Sequence, residues 1–149
     1  MTTKIHLELT VDQATAVSDA LDVYSRLCIG QLEEVAKMVQ DGRIKARGSK
    51  RQPDEYVEAE NALCEDVLAM LDRAKSILGY SKGASMGIGN RSVSGTAARA
   101  WEVKKTMDKI LAEIRNPNPV FRGVDYDGLV VRYTNDPNPV VTAIETKGN

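Results

Sequence analysis

Residues 4–42 read KIHLELTVDQATAVSDALDVYSRLCIGQLEEVAKMVQDG, and the spacing of their apolar side chains changes along the stretch. At the start, Ile5, Leu7 and Leu9 alternate with polar residues, which predicts a half-buried β-strand. After Thr10 the apolar residues recur every third or fourth position, which is typical of an amphipathic helix. The stretch therefore predicts a strand followed by a helix.

The start and the end of this first helix are marked by residues with known capping roles. Thr10 and Gln13 have the spacing of a capping box, in which each side chain satisfies a backbone N–H of the other residue. Gly42 is a natural C-terminal stop. We therefore expect one unusually long helix, interrupted at Gly30, where another backbone approaches closely.

Two more helices are predicted downstream. Pro53 suits the first turn of a helix, since it lacks an N–H that would need a partner there. The apolar positions that follow form a broad face up to Gly79. A third helix begins near Ser94 and ends at Asn116-Pro117. Residues 43–52 form a basic connector with five Lys or Arg.

The C-terminal part resembles strands. Residues 120–124 and 129–133 flank a turn at 126–128, and residues 140–144 form a candidate last strand. The sequence thus predicts an α+β fold, with a small antiparallel sheet of N-terminal strand and C-terminal hairpin, packed with three helices, two of them long. We expect a single domain over residues 1–149 with a frayed tail at 145–149.

The net charge of −1 hides an uneven distribution. Residues 1–79 carry a net charge of −4, residues 80–132 a net charge of +4, and residues 133–149 a net charge of −1. The near-neutral net charge excludes a broad surface for a nucleic acid polymer. An anionic ligand would meet the third quarter of the chain, unless the charges are simply scattered over the surface.

The residue types needed for catalysis or metal binding are scarce. The single histidine, His6, and the two cysteines, Cys28 and Cys64, form no zinc signature. We therefore expect no enzyme, no cofactor and no metal. The cysteine content, the lack of a long apolar run and the polar first residues favour a cytoplasmic protein without a membrane segment.

The glycine-rich stretch at 83–91 precedes the third helix. Small residues there would let a ligand reach backbone amides and the positive helix end. The alternative is a linker that uses glycine only for turns. A dinucleotide fingerprint does not fit, because the third glycine is misplaced and the stretch follows a helix.

Short motifs along the chain resemble one family. They are Leu21–Arg26 (LDVYSR), Gly30–Glu34 (GQLEE), Ser85–Ile88 (SMGI), Ala98–Val103 (ARAWEV) and Ile114–Pro117 (IRNP). Together they resemble the first family of Thoeris anti-defence proteins, over roughly residues 4–135. The resemblance implies a non-enzymatic sponge that captures cyclic ADP-ribose isomers made by bacterial TIR-domain enzymes, in the cytoplasm of the infected bacterial host.

The resemblance also implies partners and site residues. Cyclic di- and trinucleotides are further candidate ligands, as in CBASS defence, and the chain is expected to form a homo-oligomer, a dimer or a hexamer. Met86 stands where the family places an aromatic residue that stacks on adenine. Arg115 and Arg132 match the two phosphate-directed arginines. The implied ligand-binding residues are Met86, Gly87, Asn90, Arg91, Thr96, Arg115 and Arg132, with Arg26 and Gln31 in oligomer contacts or a second nucleotide site.

Two other functions remain open from the residues. The broad apolar helix faces favour a helical interaction module that inhibits a host or phage protein by contact. An enzyme that degrades such a signal is the third, and the scarcity of catalytic groups argues against it.

Overall fold

The computed structural model describes residues 3–45 and 53–144, with only the backbone described over 53–60. Four α-helices form in these ranges. They are α1 (Val11–Cys28), α2 (Glu33–Gln40), α3 (Pro53–Ile77) and α4 (Gly95–Arg115), followed by a single-turn 3-10 helix, Val124–Asp127. The basic connector lies mostly outside the described residues, and so does the tail at 145–149.

The predicted α+β fold is wrong, because no strand forms in the ranges that the structure describes. The segments predicted as strands lie exposed: Ile5 retains 92% of its accessible surface, Phe121 88% and Val140 86%. A strand is stable only when its backbone groups pair with a neighbour. Apolar alternation shows which face could be buried, but it does not supply the neighbouring strand.

The single long first helix is also wrong, since the chain turns at Gly30 and α1 and α2 are separate. Gly30 has φ +90°, a left-handed conformation that glycine adopts without strain. A Cβ at this position would lie 2.6 Å from ring carbons of Tyr80. The close approach at Gly30 is therefore made by an aromatic side chain, where the sequence predicted a backbone.

The predicted helix ends are largely confirmed. Thr10 and Gln13 form the reciprocal capping box, with N···O distances of 2.9 and 3.2 Å. The Ser94 hydroxyl accepts a hydrogen bond from the Ala97 N–H at the start of α4. Pro53 is the first residue of α3. These positions were predictable because capping depends on residues within one helical turn.

The chain divides into two compact units, and the boundary falls within α1. The first unit contains residues 1–25 and 91–149. The second contains residues 26–90. The prediction of a single domain stays a prediction.

In the first unit, α1 and α4 run antiparallel and are linked by side chains. Ser25 donates to the Ala97 carbonyl at one end, Ser18 donates to Asp108 in the middle, and Arg115 donates to Thr15 at the other end. The buried apolar side chains of this unit all lie on α4: Ala97, Ala98, Ala100, Met107 and Leu111.

In the second unit, α2 and α3 are antiparallel neighbours. The Cys64 thiol lies 3.6 Å from the Ala36 carbonyl, and the Lys75 ammonium donates to Glu33 at 2.9 Å. Cys28 and Cys64 are both free and half-buried. None of the helices formed by residues 3–45 and 53–144 combines the length and apolar character needed to cross a bilayer.

Candidate functional site

The glycine-rich loop is attached to the turn between α1 and α2. The Met86 N–H donates to the Ile29 carbonyl at 2.8 Å, and the Gln31 amide donates to the Ser85 hydroxyl at 3.4 Å. The ring of Tyr80 packs over Gly30. The second unit thus brings Met86 and Gln31 to one place, although the resemblance assigned them to different roles.

The backbone of this loop is partly committed to its own folding. The Met86 N–H is used by Ile29, and the Asn90 N–H donates to the Gly87 carbonyl at 2.9 Å. An amide that already donates within the protein is not available to a ligand oxygen. These two amides therefore do not form the phosphate cradle expected from the sequence, and the linker alternative accounts for them.

Arg26 belongs to a polar cluster in the same unit. Its guanidinium donates to Gln31 Oε1 at 3.0 Å and lies 3.5 Å from Glu34 Oε1. The cluster holds the end of α1 against the start of α2. This engagement with a carboxylate fits a structural role better than a grip on a phosphate.

The remaining predicted residues lie in the first unit. Arg91 and Thr96 are exposed near the start of α4. Arg115 is exposed at the end of α4, where it donates to the Thr15 hydroxyl at 3.1 Å. Arg132 is exposed and donates to the Thr134 carbonyl at 3.3 Å.

The two matched arginines share one property. Among the described residues, neither Arg115 nor Arg132 forms a salt bridge, and each donates to an uncharged oxygen. The charge of Arg132 does act at longer range on the carboxylates of Glu102 and Asp136. In contrast, Arg99 is engaged by Asp136, and Arg26 by Glu34. A guanidinium that is not hydrogen-bonded to a carboxylate has N–H groups that can donate to an anion.

Arg115 and Arg132 do not converge. The N–H of Tyr133, next to Arg132, is bound to Glu102 on α4. Arg115 follows Glu102 on the same helix by 13 residues, which corresponds to about 20 Å along the axis at 1.5 Å per residue. The backbone anchors of the two arginines therefore lie near different parts of α4.

A cleft between α1 and α4 was not predicted from the sequence. Its volume is about 200 Å³, smaller than the roughly 300 Å³ at which small-molecule pockets usually begin. Four aspartates and two basic residues contribute to it: Asp19, Asp22, Asp108, Asp125, Lys104 and Arg115. The excess of carboxylates disfavours a phosphate inside the cleft, so a phosphate bound by Arg115 would have to lie outside it, on the exposed side of this residue.

Lys104 is the centre of this cleft. Its ammonium lies 2.5 Å from Asp108 Oδ2 and 3.5 Å from Asp22 Oδ1, and it lies over the Trp101 ring. Burial lowers the pKa of Lys104, but the hydrogen bonds and charges of Asp108 and Asp22 together raise it by more, so its pKa is above the ordinary value. The Lys104–Asp108 pair, four residues apart, was readable from the sequence.

Glu102 was not predicted from the sequence as a residue of the candidate site. It is a carboxylate on the buried face of α4, with 2% of its surface exposed. Oε1 accepts from the N–H groups of Tyr133 and Thr134, both at 2.7 Å, and Oε2 accepts from the Thr134 hydroxyl at 2.8 Å. Its partners lie more than 30 residues away, so no local pattern indicates them.

Within the described ranges, no group of three or more His, Cys, Asp or Glu side chains has an arrangement that would hold a metal ion. Comparisons with known families, with curated proteins and with solved structures find no match to this chain.

Proposed function

We propose that this chain binds and sequesters cyclic ADP-ribose-type signalling nucleotides without degrading them. By removing the signal it would suppress bacterial anti-phage defence of the Thoeris type, and of the CBASS type if cyclic di- or trinucleotides also bind. The site of action is the cytoplasm of an infected bacterium. The proposal takes its ligand class from the resemblance to the Thoeris anti-defence proteins.

The observation that carries the proposal is the state of the two matched arginines. Both are exposed, and among the described residues neither is held by a carboxylate. A cyclic ADP-ribose carries two phosphates, and a guanidinium can grip each one through two hydrogen bonds. Charge-assisted hydrogen bonds contribute about 1.5–3 kcal/mol each, so a few of them with purine burial reach the roughly 8 kcal/mol of micromolar binding.

The distance between the arginines favours a site shared by two copies. The anchors of the two guanidiniums lie about 20 Å apart along one helix, farther than a compact nucleotide extends. In a homo-oligomer, Arg115 of one copy and Arg132 of another would meet on one ligand. We therefore propose a dimer, or a hexamer built from dimers, as the binding form.

Exposed apolar side chains also support self-association. On α3, Met70 is 62% exposed and Ile77 78% exposed, and Phe121 in the C-terminal segment is 88% exposed. Met70 and Ile77 lie seven positions apart and so share one face of α3, and an exposed apolar face of this kind can mark an interface. A second copy of the chain would cover them.

The experiment is calorimetric titration of the chain with cyclic ADP-ribose isomers and with cyclic di- and trinucleotides. Arg115→Ala and Arg132→Ala should each weaken binding at least tenfold. Arg73→Ala is the matched control, because Arg73 is exposed on α3 and belongs to no proposed site. Equal affinity in all four proteins would remove both arginines from the site.

The exposed face of α3 also favours the second candidate function, a module that inhibits another protein by direct contact. Stoichiometric co-purification with a host or phage protein, unaffected by Arg115→Ala, would favour this alternative. Binding of a nucleotide that is lost in Arg132→Ala would favour sequestration.

A further inference from the structure

Residues 132–136 are attached to α4 by two side chains one helical turn apart. Glu102 accepts three hydrogen bonds from Tyr133 and Thr134. Arg99 forms a two-point pair with the carboxylate of Asp136. Positions three apart on a helix share a face, so both contacts hold the segment on the same side of α4.

Of these two contacts, the one made by Glu102 fixes the backbone position of the segment. A buried carboxylate is costly unless hydrogen bonds replace its water, and here three donors do so within 2.8 Å. Two of the donors are backbone N–H groups, so the contact fixes the chain itself. The Arg99–Asp136 pair is exposed, and exposed ion pairs hold a segment weakly.

The fixed backbone carries Arg132. Arg132 directly precedes Tyr133, and its guanidinium donates to the carbonyl of Thr134. Both the start of its side chain and the acceptor that orients its head therefore belong to residues adjoining the Glu102 hydrogen bonds. If the segment were released from α4, the guanidinium of Arg132 would no longer be held in one orientation.

We infer that Glu102 is a positioning residue, which anchors segment 132–136 through three hydrogen bonds and thereby aims Arg132 at the ligand. The inference rests on the proposed function in that Arg132 contacts a phosphate. Glu102 itself does not touch the nucleotide. Its role depends on accepting hydrogen bonds, which its negative charge strengthens.

Two substitutions separate the hydrogen-bonding of Glu102 from its negative charge. Glu102→Ala removes all three acceptors. Glu102→Gln retains Oε1 for the two N–H groups, and its amide nitrogen can donate to the Thr134 hydroxyl, which is able to accept. Glu113→Ala is the matched control, since Glu113 is a half-buried glutamate on the same helix.

The first measurement is hydrogen exchange of the Tyr133 and Thr134 amides without any nucleotide. We expect exchange at least tenfold faster in Glu102→Ala than in wild type, intermediate exchange in Glu102→Gln, whose hydrogen bonds are kept but weakened, and wild-type protection in Glu113→Ala. Unchanged exchange in Glu102→Ala would overturn the inference, whether or not the wild type binds a nucleotide. If Glu102→Ala does not fold, Thr134→Val, which removes one of the three bonds, replaces it.

The second measurement is affinity for cyclic ADP-ribose in the presence and absence of Arg132. Glu102→Ala should weaken binding about tenfold in the wild-type background, and should have no further effect in Arg132→Ala. An equal loss in both backgrounds would overturn the positioning role in favour of a general structural one. A wild type that binds no nucleotide would overturn the proposed function, while the exchange result would still decide whether Glu102 anchors the segment.

Discussion

At the scale of single residues, Glu102 couples stability to pH. Burial raises the pKa of its carboxyl, but hydrogen bonds from the Tyr133 N–H and from Thr134, with the nearby charge of Arg132, lower it by more. The folded pKa is therefore below the ordinary value of 4.5. The stabilisation is fully present above about pH 4.5 and is lost as the pH falls through the folded pKa.

We expect the free energy of unfolding of wild type to exceed that of Glu102→Gln by about 1–3 kcal/mol at pH 7, since hydrogen bonds to an ionised acceptor are stronger. Below pH 4.5 the difference should shrink. Urea unfolding from pH 7 to pH 3 measures it. Asp136 titrates in both proteins, so its contribution to the free energy of unfolding largely cancels in the comparison. A difference between the two proteins that stays constant from pH 7 to pH 3 would contradict this account.

Gly30 has a left-handed backbone conformation, and the ring of Tyr80 packs closely against it. Gly30→Ala should destabilise the second unit by more than about 1 kcal/mol, because the new Cβ meets the Tyr80 ring in addition to the strain of positive φ. Gly42→Ala is the control, since Gly42 has φ +69° with nothing within 4 Å. Chemical denaturation should show a larger loss for Gly30→Ala, and equal losses would assign the cost to backbone strain alone.

At the scale of elements, α2 and α3 are joined by an asymmetric ion pair. The Lys75 side chain is 2% exposed, whereas that of Glu33 is 43% exposed. Burial raises the pKa of Glu33, but the hydrogen bond and charge of Lys75 contribute to a net lowering. When the pair is broken, water can therefore reach the carboxylate of Glu33 but not the ammonium of Lys75.

Glu33→Gln leaves a buried ammonium without its counter-charge and should cost about 2–4 kcal/mol. Lys75→Met leaves a carboxylate that water can reach, and should cost less than about 1 kcal/mol. Thermal unfolding of the two variants measures the order. A larger loss in Lys75→Met would show that the pair does not depend on burial in this way.

The elements also show what the sequence could predict. Capping residues and prolines placed the starts of α1, α3 and α4, because these signals act within one turn. The ring that packs over Gly30 belongs to Tyr80, fifty residues away in the chain, so the sequence around Gly30 does not indicate it. The strands failed for a related reason, since strand formation depends on a distant partner segment that local alternation does not reveal.

The candidate site was predictable only in part. The resemblance selected Arg115 and Arg132, which are exposed and form no salt bridge among the described residues. It did not indicate that Met86 and Asn90 use their amides internally, or that Glu102 holds the segment next to Arg132. Those facts depend on tertiary hydrogen bonds.

At the scale of the whole molecule, the proposed shared site makes a prediction about mixed chains. If each site takes Arg115 from one copy and Arg132 from another, chains with Arg115→Ala and chains with Arg132→Ala should complement each other. Random mixing into dimers would restore one intact site in half of the dimers, or about a quarter of all sites. Calorimetric stoichiometry after co-refolding measures this fraction. No recovery in the mixture would place both arginines in one copy or in separate sites.

The central claim is that the chain holds a cyclic ADP-ribose signal without changing it. The direct measurement is to incubate the protein with a cyclic ADP-ribose isomer, remove the free nucleotide, denature the protein by heat and analyse the released compound by chromatography. We predict near-stoichiometric release of the unmodified compound from wild type, and little from Arg132→Ala. Release of a hydrolysed product, or no retained nucleotide with any isomer, would contradict the account.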